Sequence, residues 1–232
     1  MVLCPLGVAL SARAGFGVSM IEAPVYVTYL RLSQSFPKFT FGMAEYLVQA
    51  LVLILLCVLI KKFKAGYLLS FGTAVLFGVI LDAWRNVIGV GVYENTGIRI
   101  LACVASIVIV SFSIACFFRT DLPPEVWEVF VKEYSVNKNK KITRVKWIYD
   151  ISSLTAGILL MLILLRRWEW TAVGAGTIAT TIVNAPLIGL LGKLIDKVWK
   201  DKEGVKTPQT ELEEMKAIEE AAKRAEEEEN EE

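Results

Sequence analysis

Residues 100–118 read ILACVASIVIVSFSIACFF, nineteen positions without a charged side chain. A bilayer core about 30 Å thick takes roughly 20 apolar residues of helix at ~1.5 Å each, so this run is long enough to cross one. Outward from it lie four more charge-free stretches, at 46–60, 66–81, 151–165 and 170–192. Two of them, 46–60 and 151–165, reach spanning length when extended back through 41–45 and 147–150. Five such segments in 232 residues are more than a soluble domain of this size can enclose, because helices apolar all round need an interior larger than such a chain can build. The expected class is all-α, a polytopic helix bundle whose first partner is the lipid bilayer.

Charge falls between the apolar runs or beyond them. Residues 207–232 hold eleven Glu against Lys216, Lys223 and Arg224, a net of −8, which leaves +9 on residues 1–206 and explains an overall charge of only +1. Thr210 and Glu213 form a capping-box pattern at the head of a tail rich in helix formers, read as a solvated acidic extension, helical or disordered. Cys4, Cys57, Cys103 and Cys116 stand singly in apolar segments, and the chain has no histidine, so neither zinc nor any other metal is expected. Phosphate-cradling glycine loops, G-x-S-x-G and H-E-x-x-H are absent from the sequence. An enzyme, a cofactor and a nucleic-acid partner are accordingly not expected.

Residues 1–10 are apolar but short. They read as the end of a first membrane helix, which brings the expected count to six. Lys and Arg then fall fifteen to seven on alternate sides: Lys61, Lys62, Lys64, 119–146 and 193–206 on the richer side, Arg13, Arg31, Lys38, Arg85, Arg99, Arg166 and Arg167 on the poorer. The positive-inside bias places the richer side, with both termini, in the cytoplasm of a cell whose plasma membrane the chain crosses several times.

The two halves resemble each other. Leu69-Ser70-Phe71-Gly72-Thr73-Ala74 parallels Val173-Gly174-Ala175-Gly176-Thr177-Ile178, and Glu22, Glu45 and Gly72 recur as Glu125, Asp150 and Gly176 at spacings of 103, 105 and 104. Three crossings per half would make the second copy enter upside down, so the fold expected is two inverted three-helix repeats, 1–95 and 96–196, followed by the cytoplasmic tail 197–232. A segment that is neither loop nor span follows the first helix of each half. In the second half Asp121 can cap a helix beginning at Pro123-Pro124, with Trp127, Phe130, Val131 and Tyr134 on one face and Glu128 and Lys132 opposite. The counterpart, 18–32, carries Glu22, Pro24 and Arg31 in a more apolar run and reads as a re-entrant piece.

Taken together, Gly7-Val8-Ala9-Leu10, Arg13-Ala14-Gly15-Phe16-Gly17-Val18-Ser19, Phe71-Gly72-Thr73 with Asp82, Leu122-Pro123, Tyr149-Asp150, Gly174-Ala175-Gly176-Thr177 and Asn184-Ala185-Pro186-Leu187-Ile188-Gly189 resemble the bacterial YitT/YczE-like membrane proteins over about residues 5 to 195. The resemblance implies a multi-helix membrane domain and carries over no settled activity. Met20-Ile21-Glu22 departs from the Pro-aromatic-Asp usual there, the first helix starts late, and the acidic tail lies outside the match.

Ionisable groups inside a bilayer cost at least ~2.5–3.5 kcal/mol, so each needs a partner, a nearby headgroup or a job. Asp82 follows sixteen uncharged residues; it reads either as an interfacial partner of Arg85 or as a solute or proton site. Glu45 with Gln49 and Asp150 with Ser153 begin equivalent helices and either sit at the interfaces or line the two mouths of a cavity. Glu22 and Glu125 suit the first turn of a helix for dipole reasons alone. Gly72-Thr73 and Gly176-Thr177 would let helices approach closely. Pro186 frees the carbonyl of residue 182 beside Asn184, Thr180 and Thr181, a local helix break. The expected function is a secondary carrier or permease of a small solute with its coupling ion, binding at Asp82, Asn184, Thr73 and Thr177 with Glu45 and Asp150 flanking. The alternative is a non-transporting scaffold or assembly protein whose protein partner docks on the 138–146 loop and acidic tail.

Overall fold

The computed structural model describes residues 2–61, 63–117, 125–138, 140 and 142–198. Among these residues eight helices follow one another: α1 (Leu3–Ala14), α2 (Glu22–Ser35), α3 (Phe41–Ile60), α4 (Gly66–Ile88), α5 (Thr96–Phe117), α6 (Val126–Asn137), α7 (Ile142–Leu160, carried on by a π turn over Met161–Leu165) and α8 (Ala175–Val198). No strand occurs among the described residues. The Asp121 cap, the Pro123-Pro124 helix start, Lys141 and the tail from residue 199 lie outside them.

α3, α4, α5 and the stretch Arg144–Leu165 of α7 are each long and apolar enough to cross a membrane; α8 makes a fifth crossing if its two parts form one span. α1 is apolar but has only twelve residues, about 18 Å of helix. The count by length and composition is therefore four to five, against the six expected. α8 is bent by 44° between Ala175–Asn184 and Pro186–Lys197, where the proline ring removes a backbone donor and crowds the preceding turn.

The bundle is apolar on its outside as well as in its core, and polar side chains are enclosed within it. Along α3, Leu51, Ile54, Leu55 and Val58 are exposed while Glu45 and Gln49 are fully buried, the reverse of a water-soluble helix and the arrangement a lipid solvent imposes. This chain is a multi-pass membrane protein.

Close approach of backbones fixes the central crossings. A Cβ added at Gly78 on α4 would stand 2.6 Å from the Gly42 carbonyl oxygen on α3, so only glycine at both positions lets these helices touch. Gly72 meets nothing within 4 Å and is exposed, so of the Gly72-Thr73 pair expected to seat a neighbouring helix the glycine does not, while Thr73 is buried. Its counterpart Gly176 is closely packed, but against the carbonyls of Phe16 and Gly17 in the turn after α1 and not against a helix. α1 runs antiparallel to α5: Gly7 lies against Val110, while the carbonyls of Ala14 and Gly15 accept hydrogen bonds from Arg99 at 2.9 and 3.1 Å.

α2 and α6 stand where the sequence places the two intervening segments, after the first helix, α1, and after α5, with shifted bounds. α2 is Glu22–Ser35 rather than 18–32, because 15–21 is spent on a turn through Gly15 and Gly17, both with positive φ, that hydrogen-bonds to the α7–α8 connection: the Val18 N–H donates to Ala172 O at 3.2 Å and the Gly176 N–H to Phe16 O at 2.6 Å. α6 buries the face expected of it, with Trp127, Phe130 and Val131 inside and Glu128 and Lys132 exposed. Both short helices pack on the same two long ones, α3 and α7.

Candidate functional site

The first residues of α2 and α6 converge on one buried patch of α3. Glu45 and Gln49, one helical turn apart, are joined by a 2.9 Å hydrogen bond from Gln49 Nε2 to Glu45 Oε1. The same amide closes the start of α6: its oxygen accepts from the Val126 N–H at 3.2 Å, and Nε2 donates to Glu125 Oε2 at 3.4 Å. The first turn of a helix leaves its N–H groups without intrahelical partners, and an inward-facing glutamine oxygen supplies an acceptor that water would otherwise provide. From the other direction α2 brings Glu22, 8% exposed, within hydrogen-bonding reach of Glu45, which has no exposure at all. The indole of Trp127 lies beside Glu45 without completing a hydrogen bond.

From this common point the two short helices lead to opposite ends of the α3–α4 pair. Along α2, Tyr29 accepts a 2.9 Å hydrogen bond from Arg85, near the end of α4, and the guanidinium lies over the rings of Tyr29 and Phe41. Along α6, Glu133 reaches the turn between α3 and α4, where Lys64 Nζ approaches its Oε2 at 2.7 Å. α2 and α6 are thus opposed half-length helices with their starts together in the interior.

The expected site residues are dispersed around this centre. Glu45 alone belongs to it. Asp82 does not pair with Arg85: its Oδ2 accepts from Thr40 Oγ1 at 2.6 Å and its Oδ1 from the Gly42 N–H at 2.9 Å, while Thr40 in turn accepts from Met43 N at 3.1 Å. Asp82 on α4 therefore caps α3, a negative charge at a helix start where the dipole favours it. Asn184 accepts from Ser111 at 2.6 Å and ties α8 to α5. Thr73 is buried, its hydroxyl donating to Leu69 O at 3.2 Å within α4. Thr177, 2% exposed, accepts from the Gly174 N–H at 3.2 Å and closes the α7–α8 connection. Beside it a largely apolar cavity of about 260 Å³ opens between Met20, Leu154, Trp170 and Thr181. Asp150 makes an i,i+4 ion pair with Lys146 at 3.5 Å, with Oδ1 left buried and unsatisfied.

Glu22, Gln49, Glu125 and Trp127 complete the centre. Their sequence signal was the recurrence of Glu22 as Glu125 at the heads of the two short segments, together with the i,i+4 pair on α3. Among the described residues no group of three His, Cys, Asp or Glu side chains is arranged to hold a metal ion.

A family model matches residues 1–193, nearly all of the membrane-embedded part. The chain belongs to DUF6198. That is a family of unknown function, so membership gives kinship to the helical domain and assigns no chemistry to its acidic centre. The DUF6198 match stops short of the acidic tail. No curated protein and no solved structure matches the chain significantly.

Proposed function

We propose that this DUF6198 protein is a secondary carrier or permease for a small solute, working by alternating access between two inverted repeats, with the Glu22–Glu45–Gln49–Glu125 centre at its midplane. One observation carries the reading: two half-length helices begin at the same buried polar patch and run to opposite ends of the bundle. Carriers use discontinuous helices this way, because irregular backbone and helix starts are tolerated at membrane depth only where protein or a polar cavity surrounds them.

The packing pattern supports the repeat. α1 packs on α4 as α5 packs on α8; α2 lies on α3 as α6 lies on α7; α2 meets α7 as α6 meets α3; and α1 meets its own counterpart α5. A pseudo-two-fold axis would generate each of these pairs from the other. The close α3–α4 pairing has no equal between α7 and α8, and that asymmetry is what a carrier caught in one of two states displays. The motif resemblance to YitT/YczE-like proteins fits the same architecture. No enzymatic step or cofactor enters this scheme.

The test is flux. Purified protein in liposomes, under an imposed pH or sodium gradient, is challenged with radiolabelled small cations, zwitterions and anions. Uptake above protein-free liposomes, with counterflow by the same unlabelled solute and loss in Glu45→Gln, is the expected result. Absence of flux for every class, with the protein correctly inserted, rejects the carrier in favour of a scaffold acting through its cytoplasmic loop and tail.

A further inference from the structure

The buried pair at the centre has an unmet requirement. Glu22 Oε2 and Glu45 Oε2 are both enclosed and neither finds a hydrogen-bond donor. An ionised carboxylate only accepts, so two of them facing each other cannot satisfy one another. Among the described residues no cation pairs with them: the ion pairs are Lys64–Glu133, Lys146–Asp150 and Arg167–Glu169. Among the described residues the groups that reach the two carboxyls are Gln49 on α3, Glu125 and Trp127 on α6 and Cys4 on α1, all neutral or acidic. α7 presents Gly157, which meets Ala23 and Pro24 beside Glu22.

From this geometry we infer that Glu22 and Glu45 share a single proton, and that this pair is the proton site on which the carrier's cycle turns. A proton on Glu22 converts one acceptor into a donor, makes a short carboxyl–carboxylate hydrogen bond, and reduces the pair's charge from −2 to −1. Two carboxyls in contact, neither held by an ion pair among the described residues, resist ionising together, the situation of the paired aspartates in acid proteases. A metal cation would meet the same charge but needs several oxygens converging on one point, and the described residues offer no such arrangement. When the centre opens to water on one side, the proton leaves to water and the pair regains its second negative charge; reopening on the other side reloads it. α2 and α3 carry one carboxyl each, so protonation pulls the half-helix onto the long helix and deprotonation drives them apart. That couples the proton to the movement of α2.

The coupling role rests on the carrier reading above; the shared proton does not. The test is infrared spectroscopy of the protein in liposomes at neutral pH. A protonated-carboxyl C=O band is expected, lost or shifted in both Glu22→Gln and Glu45→Gln and retained in Glu133→Gln. Should one glutamine variant fail to insert, the other gives the same reading. Absence of the band from the wild type, or its survival unchanged in both variants, overturns the proposal. So does its disappearance on adding Na⁺ or K⁺ at constant pH, which would mean that a metal ion occupies the pair. The flux screen is a separate measurement: flux without the band rejects the proton pair and keeps the carrier, whereas the band without flux rejects the carrier and the coupling role with it.

Discussion

Asp82 and Glu45 are both acids on long apolar helices, and their surroundings give them opposite uses. Each Asp82 oxygen is spent on the first turn of α3, through Thr40 and the Gly42 N–H. Glu45 satisfies one oxygen with Gln49 and leaves the other unpaired in the interior. Replacing Asp82 by Asn keeps the shape but removes the charge and one acceptor, so it should cost about 1 kcal/mol, the worth of a helix cap, and leave transport in place. Thermal unfolding in detergent alongside a flux assay checks both halves of that statement. Gly78→Ala is the harsher change. Its new methyl would press on the Gly42 carbonyl at 2.6 Å, and overpacking of that kind costs about 1–3 kcal/mol; the same substitution at Gly72, which faces open space, should be neutral or slightly stabilising.

At the scale of elements, the long spans were legible because charge-free runs of fifteen or more residues are hard to place anywhere but in lipid. The short helices were legible too, α6 through the 127, 130, 131, 134 periodicity, whose first three positions are buried and whose fourth is half-buried. What the sequence left open was where these helices point. Glu22 and Glu125 look like ordinary first-turn acids, and only tertiary structure brings the starts of α2 and α6 to the same turn of α3. Matching Gly72 with Gly176 misled for a related reason, since a glycine's contact depends on which helix face meets a neighbour, and sequence spacing does not record that. The bend in α8 belongs to this scale. With Pro186 replaced by Ala the missing backbone donor returns, so the 44° angle between Ala175–Asn184 and Pro186–Lys197 should relax. Spin labels at 178 and 194 would then report a longer mean distance than in the wild type. If the bend is part of the working cycle, flux should fall while thermal stability holds or rises.

Across the whole molecule, charge and contact agree on two distinct ends. Arg13 reaches the carbonyls of Ile88 and Gly91 and stacks on Tyr93, Arg99 holds the end of α1, and Arg167 pairs with Glu169 at 3.1 Å. These residues gather where α1 and α4 end and α5 begins. Lys64, bonded to Glu133, lies at the other end, on the side richer in Lys and Arg. The positive-inside bias then predicts an orientation with Lys64 in the cytoplasm and Arg167 outside. Single cysteines test this in a background lacking the four native ones, Cys4, Cys57, Cys103 and Cys116. Arg167 is the outer position of choice because it is largely exposed, its side chain 68% accessible, whereas Arg99 cannot be replaced without releasing α1. A membrane-impermeant maleimide applied to intact cells should label Arg167→Cys and spare Lys64→Cys, and permeabilised cells should label both. The reverse pattern would turn the molecule over and exchange the side from which each half-helix enters. The shared centre at Glu22 and Glu45 would stay where it is, because opposed half-helices keep their meeting point under that exchange.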